Sequence, residues 1–239
     1  MKKPIIVLLA ASLLLVSCLE TVQSSLSSAL RSGPSRGGAG LDESTVIAGL
    51  KEALRIGTQN AVDLVGRTNG YFHNARIALP LPQELKNVGD TLRRIGLGGK
   101  VDEFVRTMNR AAEEAAPKAV NIFVDAITKM TLQDAMGILR GADNAATAYF
   151  ERKTRSALHS VFLPVVRQVL DQVGVTSLYQ TLIRTYNAIP GMRRVTFDLN
   201  VYVTDKALDG LFLMLADEEK KIRKDPAARV TDLLRRVFG

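Results

Sequence analysis

The sequence predicts an all-α fold, a multi-helix bundle with kinked helices. Three observations carry this. Apolar residues recur at i, i+3, i+4 spacing along most of the chain. The composition is 46% hydrophobic but only 5% aromatic, without Trp, and Ala and Leu dominate, which favours helix over sheet. Capping residues precede the periodic stretches, and Gly or Pro follows them. With 239 residues the chain can bury a sizeable core, read here as one domain over residues 41–239.

Residues 1–17 read as a signal peptide. Lys2 and Lys3 form its charged start, and Ile5–Val16 is an apolar run too short for an ordinary membrane span. Leu15-Val16-Ser17-Cys18 resembles a bacterial lipobox, in which the Cys is acylated and becomes the new N-terminus. Cys18 is the only Cys, so no intramolecular disulfide is available. The plainer alternative is a secretory peptide with an incidental Cys. Leu19 follows, not Asp, which resembles the outer-membrane sorting state of enterobacterial lipoproteins. The formal charge of +8 then points to an anionic membrane surface and away from nucleic acid. Residues 18–40, rich in Ser and Gly, read as a flexible tether. Gly33-Pro34-Ser35-Arg36-Gly37 matches G-x-S-x-G, but Ser and Gly flank it where a nucleophile elbow needs a strand and a helix.

Asp42 is a plausible N-cap for a first helix carrying Val46, Ile47, Leu50, Leu54, Ala61 and Val65. Gly49 and Gly57 weaken that helix unless another helix packs closely on them. Residues 69–81 break the pattern, and Arg76–Leu81 is extended before its prolines. Pro82 opens a helix with Leu85, Val88, Leu92 and Ile95, stopped at Gly96. Lys100–Met130 is a long helix interrupted by Pro117. Thr131 with Asp134 caps a short helix ending at Gly141. A longer helix opens at Asp143 and runs to about Val173, with Pro164 inside, and Thr176 restarts one to about Ala188. Residues 190–200 read as a loop. Phe197, Leu199, Val201 and Val203 alternate, so one short two-stranded β element with Ile77–Leu81 is an option. Thr204 caps the next helix, which ends in the solvated charge run Asp217–Lys224. Asp225-Pro226 opens a closing amphipathic helix with Val230, Leu233, Leu234, Val237 and Phe238.

Several of these stretches, among them GLKEALRIGTQNAV, ALPLPQEL, IFVDAITKMTLQDAMGILRGADNAATAYFERKT and the final YVTDKALDGLFLMLADEEKKIRKDPAARVTDLLRRVFG, resemble the bacterial DUF4197 family. The resemblance spans roughly Gly49 to Gly239. It implies an all-helical exported or lipid-anchored protein and carries over no catalytic residues.

Chemistry is sparse. His73 and His159 are the only histidines, and with one Cys they leave no conventional zinc site. No E-x-x-H pair or calcium-loop pattern occurs, and no cofactor is called for. The densest mixture of small, aromatic and charged residues is Gly137–Thr154. In one reading Asp143 fixes a helix start, small alanines admit a neighbour, and Asn144, Thr147, Tyr149 and Arg152 line a binding site. In the other the stretch is a tight corner between two helices. The protein so read is a non-enzymatic, lipid-anchored module at the periplasmic face of a membrane. It meets either an envelope protein or a lipid-like ligand held between kinked helices.

Overall fold

The computed structural model describes residues 43–94, 96–172, 174, 176, 179, 180 and 197–238. The expected signal peptide over residues 1–17, Cys18, Ser35, Asp42 and most of the helix expected over 176–188 lie outside the described residues. Helix α1 is Glu43–Gly66 and α2 is Lys86–Arg94, entered through a 3-10 turn at Gln83–Leu85. Then come α3 Gly98–Ala115, α4 Ala119–Thr128, α5 Leu132–Leu139, α6 Ala145–Gln172, α7 Leu199–Lys224 and α8 Asp232–Phe238. The fold is an all-α bundle, and no strand forms among the described residues.

The core is made where α1, α3, α6 and α7 meet, with α4 packed on α1 and α6. Each helix supplies one apolar stripe, such as Leu50, Leu54, Ala61 and Val65 of α1. Phe123 of α4 sits edge-on against Phe150 of α6, centroids 5.3 Å apart, and against Phe212 of α7 at 6.1 Å. Burying each such side chain contributes about 1.5–3 kcal/mol. The two prolines act differently. Pro117 breaks the expected long helix, and a 3-10 turn at Ala116–Lys118 joins α3 to α4. Pro164 is exposed and lies inside α6, which continues past it.

At Gly49 an added Cβ would lie 2.4 Å from Val237 Cγ2, so α8 packs directly on that glycine. Gly57 is less constrained: a Cβ there would meet Ile222 Cδ1 at 3.5 Å.

The option of a β element is not realised. Phe197 and Asp198 precede α7, and Leu199–Val203 form its first turn. The Asp198 carboxylate accepts from the amides of Asn200 (2.9 Å) and Val201 (3.1 Å), so the cap is Asp198 and not Thr204. Leu199, Val203 and Ala207 are buried at helical spacing, whereas Val201 is 36% exposed, so the period of 3.6 prevails over the period of 2. Leu79 pairs instead with a side chain. Its amide donates to Asn109 Oδ1 (2.8 Å), and its carbonyl accepts from Asn109 Nδ2 (3.0 Å). Asp225-Pro226 opens only the 3-10 turn Pro226–Ala228, and α8 starts after Thr231, whose hydroxyl accepts from the Leu234 amide at 3.2 Å.

Candidate functional site

The corner begins where α5 ends. Thr131 and Asp134 form the expected capping box at the start of α5. At its end the Arg140 amide donates to the Met136 carbonyl. Gly141 follows in a turn so tight that a Cβ would lie 2.6 Å from Ala145 Cβ and 2.7 Å from the Gly137 carbonyl oxygen. Helix α6 starts at Ala145, one residue later than a cap at Asp143 implies.

Its first-turn amides are held by a carboxylate from α7. Ala146 N–H donates to Glu219 Oε1 at 3.0 Å, and Thr147 N–H and Oγ1–H donate to Glu219 Oε2, each at 2.9 Å. The helix N-terminus carries partial positive charge, so the buried anion is stabilised there. Arg223, one turn along α7, donates to Glu219 Oε1 from Nε (3.1 Å) and Nη2 (2.9 Å), and Nη2 also reaches the Ile138 carbonyl at 2.8 Å. The Glu219 and Arg223 side chains are only 6% and 15% exposed. One ion pair therefore clasps the end of α5, the start of α6 and the C-terminal part of α7.

The residues singled out in the sequence are spread around this clasp. Asp143 is exposed and pairs with Lys224 Nζ. Lys224, with Arg223 and Lys220 nearby, holds its carboxyl below the usual range. Asn144 is exposed, and its carbonyl accepts from the Ala148 amide. Thr147 is buried in the clasp. Tyr149 points the other way: its hydroxyl lies 3.4 Å from the Ala126 carbonyl of α4, and Lys153 Nζ lies 5.9 Å from its ring centroid. Burial raises its phenol above the ordinary value. Arg152 is exposed one turn further on.

Thr147 also borders a narrow, solvent-open cleft between α1, α6 and α7. Leu50, Ala53, Leu54 and Gly57 form one wall, Phe150 and Leu215 the base, and Ile222 with the clasp residues the other side. Glu219 and Arg223 fall in the charge run expected to be solvated, but the structure buries both, because Leu211, Leu215, Glu219 and Ile222 share one helical stripe. A charged residue on an otherwise apolar stripe was the available signal.

A second buried carboxylate anchors the loop after α1. Glu113 accepts from the amides of Asn69 and Tyr71, each at 3.1 Å, and of Phe72 at 3.3 Å. The turn is closed by Asn69 at φ 61° and by Gly70, where a Cβ would lie 2.5 Å from the Val65 carbonyl oxygen. Tyr71 is fully buried and donates to the Ala207 carbonyl at 2.6 Å. Burial, with Glu113 and Asp209 adding to it, pushes its phenol far above the ordinary value. Of the histidines, His73 is exposed beside Phe72, and His159 lies 3.8 Å from Asp205. Among the described residues no cluster of three or more His, Cys, Asp or Glu is placed to hold a metal ion.

The model of a family described as a protein of unknown function, DUF4197, matches residues 40–239. The chain belongs to the DUF4197 family. No curated protein and no solved structure matches it. The DUF4197 match begins three residues before α1, so it takes in every described helix, the clasp and the cleft.

Proposed function

We propose that this DUF4197 protein is a lipid-anchored helical module of the bacterial envelope. In this reading Cys18 holds it at the periplasmic face of the outer membrane, and it acts by binding an envelope partner, not by chemistry. One observation carries the anchoring. The family match starts at residue 40 and the compact helical unit at Glu43, so the lipobox-like run and the Ser- and Gly-rich stretch lie outside the domain. A short apolar run, a single Cys and a tether-like composition then need an explanation other than folding, and acylation supplies it. No described helix is long and apolar enough to cross a membrane, so attachment in this reading rests on the lipid. The test is Cys18→Ser in the native host, with intact-mass analysis and membrane fractionation. Unprocessed or unacylated protein is expected. Acylated, normally processed, membrane-extracted mutant protein would overturn the anchor.

The cleft supports a second reading, a carrier for an apolar or lipid-like ligand. Its walls are almost wholly hydrocarbon and belong to α1, α6 and α7, of which the clasp ties α6 to α7. Extraction of the purified lipoprotein and mass spectrometry of what is released tests it. A stoichiometric acyl compound favours the carrier, and a protein partner captured without one favours the interaction module.

A further inference from the structure

We propose that α8 is a displaceable strap that opens independently of the bundle and, on opening, lengthens the apolar cleft along α1. The proposal rests on the carrier reading only for what the cleft takes, not for the opening itself. Helix α8 has only seven residues, about two turns of backbone, and docks mainly on α1, with Leu234 also reaching Ile222 of α7. An isolated helix of that length does not hold together in water, so its docking is what keeps it helical. Among its side chains whose burial is described Leu234 alone is fully buried, and it sits with Ala53 and Ile222 in a small cluster separate from the main core.

Three features make it a hinged element. Arg229 donates to the carbonyls of Ile222 (3.2 Å) and Arg223 (3.1 Å), so the linker is fastened to the end of α7. Val230, next in the chain, is 61% exposed, leaving a bend between that fastening and α8. Ala53 and Ile222 belong both to the Leu234 cluster and to the cleft wall. Lifting Leu234 and Val237 therefore uncovers Gly49, Ala53 and Ile222, continuous with Leu50, Leu54 and Gly57 already lining the cleft. Among the described residues no hydrogen bond joins the clasp at Glu219 and Arg223 to α8, so the cleft's far end stays in place.

Hydrogen exchange on the full-length protein reads the opening directly. Amides of α8 should be protected roughly tenfold or more less than the central turns of α6 and α7, because they exchange through a local step. Leu234→Asp should leave the main melting transition in place. It should also raise the affinity for a dansyl-labelled undecanoate by about tenfold, as expected if the closed strap hides the longer cleft for most of the time. Gly49→Ala should act in the same direction, since its Cβ would lie 2.4 Å from Val237 Cγ2. Adding Ala53→Glu should cancel the gain. Exchange of α8 only on global unfolding, or a Leu234→Asp protein whose whole transition collapses, would overturn the strap. Local opening of α8 with no undecanoate binding in any variant would uphold the strap and remove the carrier reading instead.

Discussion

Removing the Glu219 carboxylate tests the clasp most directly. Glu219→Ala deletes bonds to the amides of Ala146 and Thr147, to the Thr147 hydroxyl, and to both donating edges of Arg223. What remains is an Arg223 side chain 15% exposed, with the Ile138 carbonyl as its one remaining hydrogen-bond partner among the described residues. Breaking one half of a buried pair costs about 3–5 kcal/mol, because the other charge stays desolvated. The uncapped start of α6 adds to this, although water can reach part of it. Against a total stability of about 5–15 kcal/mol, that is a large fraction. For a domain of this size each kcal/mol moves the melting temperature by about 2–4 °C, so a fall of roughly 6–20 °C is expected. The decisive comparison is a double variant. Glu219→Leu with Arg223→Met removes both charges, so it should be less destabilised than Glu219→Ala alone, despite losing more bonds. Calorimetry on wild type, Glu219→Ala, Glu219→Leu, Arg223→Met and the double variant measures this. If Glu219→Ala melts within a couple of degrees of wild type, or the double variant loses the sum of the two singles, the clasp is not what holds the corner.

Other positions give smaller, signed effects. Gly210→Ala places a Cβ 2.6 Å from Tyr71 Cε1 and 3.1 Å from Ile77 Cβ, both in a seat with no slack. Overpacking should outweigh the gain in helix propensity and leave a net loss of about 1–2 kcal/mol in urea unfolding, whereas Gly57→Ala should be neutral or stabilising. Asp143→Ala and Asp143→Ser should differ little in stability, since the exposed carboxylate meets Lys224 and caps no amide in the structure. Asn144→Ala and Arg152→Ala should also melt like wild type; loss of partner capture in either, at unchanged stability, would make the exposed side of the corner a binding surface. The Thr131 hydroxyl and amide hold the Asp134 carboxyl below its ordinary value. A carboxyl depressed on folding stabilises above its unfolded pKa and loses that contribution as pH falls through the lower folded one. Carboxyl NMR should therefore show Asp134 titrating in the acid limb, and Thr131→Val should move it back up toward the ordinary range.

Most of the fold was legible because it rests on short-range signals. The Thr131–Asp134 box, the break at Pro117 and the end of α2 before Gly96 need only local chemistry, and the structure has each. Segment 197–203 was ambiguous because Leu199, Val201 and Val203 satisfy a period of 2, while Leu199, Val203 and Ala207 satisfy 3.6. The tie is broken by Asp198, whose carboxylate reaches two amides ahead of it. That cap stands immediately before the periodic stretch, whereas Thr204, the expected cap, is wholly buried inside α7.

The candidate site was legible in place but not in composition. Gly137–Thr154 does contain the junction of α5 and α6, and Gly141 is required there by close approach. The side chain that takes the α6 amides lies 72 residues beyond Thr147, and no local pattern names it. Asp143 was the natural local choice, since a carboxylate next to a helix start usually caps it. Lys224 draws it outward, while Glu219 arrives from the core side, where its charge is worth more to both the helix start and Arg223. The same logic covers Asn109 and Glu113. They sit four residues apart on α3 among Met108, Ala111, Ala112 and Ala115, and each holds the backbone of the 69–79 loop. Polar residues on an apolar stripe mark the points where this bundle fastens its connections. Their acceptors and donors are backbone groups of distant loops, so the stripe reveals that a fastening exists but not which loop it holds. That is why the helices could be read one by one, while the contacts that fix their arrangement needed the structure.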